Sequence, residues 1–432
     1  MPGLIVVGGQ WGDEGKGKII DILSSKTDLV VRSQGGNNAG HTVIALGKEY
    51  KFHLIPSGIL YPTVVCYITG GVVIDLRSLL KEIRGLESEG IHLKGRLKIS
   101  AFAHIILPYH PKWDLLQEKQ KGSLAVGTTG KGIGPCYADK ANRIGIQFGE
   151  LFGDFSLFSE HLRQVVAMKN LELVQVFKEH PLDFLSIEEE CRQFVEELRP
   201  YICFTAEKEI FDALEKGKKV LFEGAHGSCL DQTFGTYPYV TSSSTLASGI
   251  AAGAGIGPRQ IGHVLSVVKA YTTRVGNGPF FTELTEEEKS FFATNEQARE
   301  VATTTGRFRR MGWFDAPLVK NTLRLNGANS MAIMKLDVLD SLSIIKICVG
   351  YELDGIRIDI PPPLTSVWAR VRPIYEEMQG WKEDTKHMSC YEELPLLAKA
   401  YLDRLQELCG MPISFISYGP ERENTFQLIS VF

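Results

Sequence analysis

An apolar run near the N-terminus leads directly into a glycine-rich loop and then into a helical pattern. The loop after Leu4–Val7 contains Gly12, Asp13, Glu14, Gly15, Lys16, Gly17 and Lys18. Its spacing matches a phosphate-binding loop, but Ile19 stands where a Ser or Thr would coordinate Mg²⁺. The loop also contains two carboxylates, Asp13 and Glu14, whose negative charges would repel a phosphate. Metal binding or proton abstraction would explain their presence. The chain is therefore constrained to begin with a strand, a P-loop-like turn and a helix.

The composition is that of an ordinary globular protein and excludes several classes of function. The 432 residues are 44% hydrophobic and 23% charged, and the formal net charge of −4 argues against a general nucleic-acid binder. The eight cysteines include no Cys-x-x-Cys pair, which argues against a zinc site and a disulfide framework. No apolar run approaches the ~20 residues of a membrane helix, and no cleavable signal peptide is visible. We therefore expect a cytoplasmic protein with no nucleic-acid and no membrane partner.

Strand-like and helical segments alternate along the chain, which predicts an α/β fold around a mostly parallel central sheet. Strands are predicted at Leu4–Val7, Leu29–Arg32, Val72–Ile74, Lys98–Ala101, Lys219–Phe222, Val264–Arg274, Ala332–Asp337, Ile344–Tyr351 and Ile413–Ser417. Helical features are predicted at Lys18–Leu23 and Asp75–Ser88, with capping boxes at Ser186/Glu189 and Thr285/Glu288. We expect residues 1–432 to form a single large domain, with a helical insertion at about 152–217 and a C-terminal base-binding region at about 330–432.

Four polar segments add the chemistry of a nucleotide site. Gln34–Thr42 and Gly127–Pro135 are glycine-rich loops with amide, hydroxyl and histidine side chains. Thr303–Arg310 combines hydroxyls with forked guanidinium groups, which suit a carboxylate or phosphate. Lys335 and Asp337 follow a β run, and the aspartate can accept hydrogen bonds from a guanine ring. Alone, a glycine loop is often only a turn or a close packing contact, His41 would more often be a structural histidine, and the arginine run would more often be a solvated face. Lys-x-Asp is short enough to occur by chance in most proteins of this size. Together with the acidic phosphate loop, the four segments predict a nucleotide enzyme.

At this level of detail the chain resembles the adenylosuccinate synthetase family over essentially its whole length. The resemblance rests on four strings of residues, Trp11–Lys18, Asn38–Thr42, Gly127–Pro135 and Gly235–Thr241. It implies a ligase that joins IMP to L-aspartate and hydrolyses GTP, the cosubstrate, to GDP and phosphate. This is the first committed step of AMP synthesis from IMP.

The resemblance also implies how the reaction proceeds. Asp13 would be the base that removes the N1 proton of IMP, after which O6 attacks the γ-phosphate of GTP to form 6-phosphoryl-IMP. His41 would act as an acid towards the phosphate, and one Mg²⁺ per subunit would be held by Asp13 and the carbonyl of Gly40. A homodimer is expected because Arg143 would complete the partner's site.

Further residues are implied as ligand contacts. The GTP contacts would be Gly12, Glu14, Gly15, Lys16, Gly17, Lys18, Gly40, Thr42, Arg309, Lys335, Asp337, Ser417, Tyr418 and Gly419. The IMP contacts would be Asp13, Lys16, Asn38, Ala39, Gly40, His41, Thr129, Arg143, His226, Thr241 and Arg307. The substrate aspartate would contact Thr303, Thr304, Thr305, Gly306, Arg307 and Arg309.

One departure from the family pattern keeps alternatives open. His226 stands where the family has a glutamine that contacts the purine near O6. A neutral histidine can donate one hydrogen bond through Nε2, but it cannot both donate and accept as an amide does. One rival is a ligase for another purine nucleotide, although relatives of that kind tend to lose the aspartate that is present here as Asp13. The other rival is a GTP-binding switch, in which the His41 and Arg307 loops would have no purpose.

Overall fold

A ten-stranded sheet runs through the centre of the computed structural model, which describes residues 3–45, 47–293 and 309–432. The strands in the described part of the chain are β1 (Gly3–Gly8), β2 (Leu29–Arg32), β3 (His41–Ala45), β4 (Lys48–Phe52), β5 (Val65–Ile68), β6 (Val73–Asp75), β7 (Leu97–Ser100), β8 (His104–Ile106), β9 (Ile202–Cys203), β10 (Val220–Glu223), β11 (Ile261–Lys269), β12 (Thr272–Arg274), β13 (Arg310–Gly312), β14 (Phe314–Asp315), β15 (Ser330–Met334), β16 (Ile344–Leu353), β17 (Ile356–Ile358), β18 (Arg372–Gln379), β19 (Ile413–Ser417) and β20 (Thr425–Gln427). The α-helices there are α1 (Lys16–Ser24), α2 (Leu76–Ser88), α3 (Tyr109–Lys121), α4 (Ile133–Asn142), α5 (Phe155–Gln175), α6 (Phe184–Leu198), α7 (Ala206–Glu215), α8 (Ala247–Gly253), α9 (Glu286–Ala293), α10 (Ala316–Asn326) and α11 (Leu396–Cys409).

The central sheet has the order β20-β19-β15-β11-β1-β10-β2-β5-β7-β9. Its neighbouring strands are parallel except for β19 and β20, which pair antiparallel. The prediction of an α/β fold around a mostly parallel sheet is confirmed. The remaining strands form small sheets, among them the antiparallel pair β3–β4 and the group that β16 makes with β14, β17 and β18.

Strand β1 lies in the middle of this sheet and is covered on both faces. Leu4 and Val6 pack into the apolar cluster that includes Ile19 and Ile20 of α1. Ile5 and Val7 point the other way, into a second cluster that includes residues of α7 and α8. A strand buried on both faces needs a continuous apolar run, which is what the N-terminal sequence provides.

Two predicted strands are shorter in the structure than in the sequence analysis. The run Val264–Arg274 is divided, because the side chain of Gln10 accepts a hydrogen bond from Lys269 N (3.0 Å) and donates one to Tyr271 O (3.0 Å). These bonds use backbone groups that a continuous strand would pair with a neighbour. Strand β15 ends at Met334, because Lys335 has left-handed backbone with φ 60°.

The two predicted capping boxes have different outcomes. At α9 the box is confirmed, since Glu288 N donates to Thr285 Oγ1 (3.2 Å) and Thr285 N donates to Glu288 Oε2 (2.9 Å). At α6 the prediction of Ser186 as the cap is wrong. The helix begins at Phe184, and its cap is Asp183, whose carboxylate accepts from Leu185 N (3.1 Å). An aspartate three residues upstream offered an equally good capping group.

Helices α5, α6 and α7 account for most of the stretch between residues 152 and 217. The longest of them, α5, has 21 residues. Among the described residues, no helix combines the length and the apolar character needed to span a membrane.

A close approach at Gly71 fixes the loop that follows β2. A Cβ added to Gly71 would lie 2.0 Å from the carbonyl oxygen of Ser33 and 2.6 Å from Cα of Gly253. Gly71 N also donates to the carbonyl of Gly253 (3.0 Å). The loops after β2 and β5 therefore pack backbone to backbone against the end of α8, and any side chain at Gly71 would push them apart.

We expect Gly71→Ala to destabilise the protein by about 2 kcal/mol or more, because the added methyl group has no room. Gly85→Ala is the matched control, since Gly85 lies inside α2 and a Cβ there meets no atom within 4 Å. That substitution should stabilise the fold by about 0.5–1 kcal/mol through helix propensity. Urea unfolding of both variants measures the difference, and equal effects would contradict the close approach at Gly71.

Candidate active site

The candidate site lies at the carboxyl edge of the central sheet. Strands β1, β2, β10 and β15 all end at this edge. In the sheet, the chain leads from β1 to β2 in one direction and from β11 to β15 in the other, so the direction of the connections reverses beside β1. Ligands of parallel α/β sheets bind at such a point. A cavity of about 550 Å³ opens there. The sequence-predicted residues that line it are Gly12, Asp13, Gly15, Lys16, Gly17, Asn38, Ala39, Gly40, His41, Thr42, Thr129, His226, Thr241, Arg309 and Lys335.

The glycine loop delivers the start of α1 to this cavity. Gly12, Asp13 and Gly15 have φ values of 89°, 58° and 90°, which is rare backbone geometry for the aspartate. Gly15 is the N-cap of α1 and supplies no side-chain cap. The first N–H groups of the helix are therefore left for an anion, as in other phosphate-binding loops.

Glu14 stabilises the loop from inside and does not face the cavity. Its carboxylate is 0% exposed and accepts hydrogen bonds from Gln10 N (3.1 Å), Gly12 N (2.9 Å) and Lys16 Nζ (2.5 Å). Of the two acids noticed in the sequence, only Asp13 reaches the cavity with its side chain. Glu14 can therefore meet GTP only through its backbone.

Asp13 is paired with Arg309, the first described residue after the gap at 294–308. Arg309 Nε donates to Asp13 Oδ2 at 2.7 Å. Burial alone would raise the pKa of the Asp13 carboxyl, but the positive charges of Arg309, Lys269 and Lys16 outweigh it and lower that pKa. Asp13 is thus ionised at neutral pH and available to a metal ion or to a proton.

His41 is oriented by a buried carboxylate. Its Nδ1 makes a short hydrogen bond with Glu223 at the end of β10, and the other oxygen of Glu223 accepts from Ser57 N (3.0 Å) and Ser57 Oγ (3.1 Å). Burial would raise the pKa of Glu223, but His41 and Arg32 hold it below its usual range. Because Glu223 is ionised, Nδ1 of His41 is the donor, and Nε2 is the nitrogen left for the cavity.

His226 follows β10 with left-handed backbone, φ 63°, and lines the cavity. Burial, reinforced by the charges of Arg32 and Lys16, lowers the pKa of His226 to about 3, so the ring is neutral. Its Nε2 is buried and has no hydrogen-bond partner among the residues that the structure describes. This atom, which the sequence analysis considers as a donor to a ligand, is buried near Gly35, a residue that does not line the cavity.

Asn38 and Thr241 bring the β2 loop and the 235–241 segment together on another side of the cavity. Asn38 Nδ2 donates to Thr241 Oγ1 at 3.4 Å, and Asn38 Oδ1 accepts from Gly36 N at 3.3 Å. Gly17 fits α1 closely against His41 and Thr42, since a Cβ there would lie 2.8 Å from the Thr42 carbonyl oxygen. These contacts place the glycine loop and the β2 loop around one space.

Lys18 contacts the C-terminal segment and is absent from the cavity lining. Its Nζ donates to Ser417 Oγ, to the Gly419 carbonyl and to the Asn424 carbonyl, each at 2.9 Å. Burial lowers the pKa of Lys18 to about 8, against the opposing charge of Asp337 and two nearby glutamates. Burial likewise raises the pKa of Asp337. Lys18, Asp337 and the 417–419 turn therefore form one cluster beside the glycine loop.

Some predicted residues are not brought to the cavity of a single chain. Arg143 is exposed at the end of α4, with left-handed backbone of φ 62°, and does not line the cavity. Tyr418 is buried and stacks on Phe426. Thr303, Thr304, Thr305, Gly306 and Arg307 lie outside the described residues.

The sequence analysis missed three buried charges that shape the site. Glu223 holds His41, Arg32 lies behind the β2 loop, and Lys269 contributes positive charge at Asp13. Glu223 and Lys269 end runs of buried apolar residues, β10 and β11, and Arg32 ends β2. A charged residue closing a buried strand was the available signal, because such a charge must be compensated where the strand ends.

The residues present suit a metal ion that takes most of its ligands from nucleotide phosphates and water, and few from the protein. No group of three or more His, Cys, Asp or Glu side chains that could hold a metal occurs in the part of the chain that the structure describes. Asp13 and Gly40 offer one carboxylate and one carbonyl on the same cavity. Mg²⁺ in nucleotide sites is commonly held by one or two protein oxygens together with phosphates and water.

Comparisons with known proteins agree along the whole chain. The family model described as adenylosuccinate synthetase matches residues 5–426. The adenylosuccinate synthetase of Caldanaerobacter subterraneus is 50% identical to this chain, and the match covers 98% of both chains. The adenylosuccinate synthetase of Heliobacterium modesticaldum is also 50% identical, and the match covers 100% of both chains. The fully ligated adenylosuccinate synthetase of Plasmodium falciparum superposes with a TM-score of 0.92 at 37% identity, covering 99% of this chain and 100% of the other. The chain belongs to the adenylosuccinate synthetase family.

Proposed function

We propose that this chain joins IMP to L-aspartate with hydrolysis of GTP, forming adenylosuccinate on the route to AMP. Family membership supports this activity over the whole chain. The observation that carries the proposal is the arrangement of one cavity, in which Asp13, His41 and the start of α1 at Lys16 face a common space. A base, a phosphate-binding helix and a carboxylate-oriented histidine are the parts that activation of a purine oxygen requires.

Asp13 is the proposed base for N1 of IMP. The purine oxygen at C6 cannot leave as oxide. Its attack on the γ-phosphorus of GTP breaks the bond to the bridging oxygen, releases GDP and forms 6-phosphoryl-IMP, in which phosphate is the leaving group at C6. The amino group of aspartate then displaces that phosphate at C6. Removal of the N1 proton concentrates negative charge on O6, which is what makes O6 a nucleophile.

His41 and the start of α1 are proposed to meet the transferring phosphoryl group. With Nδ1–H bonded to Glu223, the Nε2 nitrogen of His41 can donate to a phosphate oxygen when the ring is protonated, which is the acid form that the proposal needs. Lys16 and the uncapped N–H groups of α1 add positive potential at the same place. Asn38, Ala39, Thr129 and Thr241 are proposed contacts of IMP.

Mg²⁺ is the proposed metal, one ion per subunit, held by Asp13 and the carbonyl of Gly40. When bound, it neutralises charge on the phosphates of GTP. The Asp13 carboxylate, already ionised in the structure, suits that role.

The guanine of GTP is proposed to bind near Lys335 and Asp337, with the 417–419 turn closing over it. Lys18 supports this pocket by its three hydrogen bonds to the C-terminal segment. Arg309, with residues 303–307, is proposed to bind the carboxylates of the substrate aspartate.

Assembly and location complete the proposal. A homodimer in which Arg143 completes the partner's IMP site accounts for an exposed arginine at the end of α4. We further propose one domain over residues 1–432, a cytoplasmic location, and no nucleic-acid or membrane partner.

One assay separates this activity from its rivals. The protein is incubated with GTP, Mg²⁺ and aspartate, together with either IMP or GMP, and the products are separated by chromatography. Adenylosuccinate formed from IMP alone supports the proposal. A ligated product from GMP supports the rival ligase, and GTP hydrolysis without any ligated product supports the switch.

Replacing the proposed base should stop turnover and leave the fold intact. We expect Asp13→Asn to lower kcat by about 10²–10⁴-fold, because general-base catalysis is lost while the side chain keeps its shape. Single-turnover assays measure the loss, and thermal unfolding with GTP binding serves as the control. Residual activity close to wild type would remove Asp13 from this role.

Replacing Glu223, which bonds His41, should lower kcat more than replacing Ser57, the other partner of the Glu223 carboxylate. Glu223→Gln should lower kcat by about 10- to 100-fold, because an amide no longer fixes the donor at Nδ1 of His41. Ser57→Ala is the matched control, since Ser57 Oγ contacts the same carboxylate but not the histidine. It should change kcat by less than about threefold. Equal losses in both variants would show that Glu223 acts through stability alone.

A shared site can be tested with hybrid dimers. Arg143→Leu should raise KM for IMP by about tenfold or more, because one charge-assisted contact to the nucleotide is lost. In assays at IMP concentrations well below the raised KM, mixing this variant with Asp13→Asn should restore about a quarter of wild-type activity, since half of the dimers carry one intact site of two. No recovery after subunit exchange would contradict the shared site.

A further inference from the structure

Arg32 is a buried cation with spare donors behind the nucleotide cavity. The side chain is 0% exposed, and Nη2 donates to the Gly36 carbonyl at 2.9 Å. Its Nε and Nη1 have no hydrogen-bond partner among the described residues. Guanidinium groups donate hydrogen bonds and accept none, so Arg32 offers donors and positive charge to whatever lies beside it.

The Nε2 atom of His226 lies in the vicinity of this cation, whose charge acts on the ring. A Cβ added to Gly35 would be 3.6 Å from His226 Nε2 and 3.8 Å from Arg32 Nη2, so the two groups flank the same glycine. The Nε2 atom is buried, whereas His226 as a whole lines the cavity. The two ring nitrogens therefore have different surroundings, with Nε2 beside Arg32 and Nδ1 as the nitrogen left for the cavity.

The position of the proton follows from these surroundings. A neutral imidazole carries one N–H donor and one bare nitrogen acceptor. Nε2 is buried without a hydrogen-bond partner among the described residues in either tautomer, so the nearby positive charge decides, and it disfavours a proton on this nitrogen. A lone pair on Nε2 is instead stabilised by the guanidinium, and the depressed pKa of His226, to which Arg32 contributes, agrees with this field. The proton therefore belongs on Nδ1.

We propose that Arg32 fixes His226 as the Nδ1–H tautomer, so that this histidine presents a single donor to the 6-oxo group of a purine nucleotide. Arg32 is a positioning residue in this arrangement, and it does not touch the ligand. The inference rests on the proposed function, because it needs a 6-oxopurine in the cavity. It goes beyond that function by naming the atom, His226 Nδ1, that hydrogen-bonds the substituent at position 6 of the purine.

This arrangement explains how a histidine can replace an amide without losing selectivity. Charge that gathers on O6 when N1 is deprotonated strengthens a hydrogen bond from Nδ1–H. A 6-amino group presents N–H donors to that same donor and is disfavoured, so the fixed tautomer discriminates against a 6-aminopurine such as AMP. An amide can rotate to suit either group, whereas a histidine held by Arg32 cannot.

The test is the tautomer of His226 in the whole protein without ligand. Long-range ¹H–¹⁵N NMR of deuterated, ¹⁵N-histidine-labelled protein shows which ring nitrogen carries the proton, and His226→Gln identifies the resonance. We expect a protonated Nδ1 and a bare Nε2. A proton on Nε2, or averaging between the two tautomers, would overturn the inference. Because no turnover is involved, this result is independent of whether the proposed reaction occurs.

Addition of IMP and then of AMP tests the contact. IMP should move the His226 Nδ1–H proton downfield, and AMP at equal occupancy should not. If the enzyme turns over IMP while this proton stays unchanged, the proposed function holds and the contact is wrong. If IMP moves the proton and no adenylosuccinate forms, the contact holds and the proposed function is wrong.

Variants of Arg32 test the positioning role. Arg32→Met removes the charge, and we expect mixed tautomers of His226 and a loss of about tenfold in kcat/KM for IMP, the size of one charge-assisted hydrogen bond. Arg32→Lys keeps a cation and should keep the Nδ1–H tautomer. An unchanged tautomer in a folded Arg32→Met protein would contradict the role of Arg32. If that variant does not fold, the wild-type spectrum still decides where the proton lies.

Discussion

The ionised carboxylate of Glu223 is the constraint on which the site depends. It is fully buried at the end of β10 and is compensated by His41, by both donors of Ser57 and by the nearby charge of Arg32. A buried charge that loses its partner costs about 3–5 kcal/mol, so these segments are held together by more than packing. The position of His41, which looks like a loop residue in the sequence, is thereby set from the core.

The two histidines at the cavity lie beside opposite charges. With the tautomer proposed for His226, both carry their proton on Nδ1, but they turn different nitrogens to the cavity. Glu223, an anion, requires a proton on Nδ1 of His41 and leaves Nε2 for the phosphate side. Arg32, a cation, lies near Nε2 of His226, and the proposed tautomer leaves Nδ1–H for the purine. Both charges end neighbouring parallel strands, β2 and β10, so the register of the sheet places them together at the edge where the cavity opens. One buried pair of strand ends thus sets the donors that two different parts of a nucleotide would meet.

The sequence reveals much of the fold because the signals are local. A buried parallel strand such as β1 is recognisable as a continuous apolar run, and the glycine loop between β1 and α1 follows from residue types at fixed spacing. Events that depend on partners distant in sequence could not be predicted in this way. Gln10 divides β11 from β12 from 259 residues away, and Lys18 turns to the C-terminal segment 399 residues on. The surroundings of His226 Nε2 belong to the same class, since Gly35 and Arg32 are distant in sequence. The inward turn of Glu14 is different, because its partners Gln10, Gly12 and Lys16 are all within four residues of it.

The pairing of Asp13 with Arg309 has a consequence for the order of events at the site. A carboxylate whose pKa is depressed is a weak base, and after burial Arg309 is the largest influence on Asp13. If Arg309 binds the substrate aspartate, as proposed, its guanidinium is shared with a second carboxylate and its hold on Asp13 weakens. Asp13 then becomes a stronger base when the nucleophile of the second step is already in place. The ion pair would thus couple proton abstraction to the presence of aspartate, which protects a reactive phosphorylated purine from water during its lifetime.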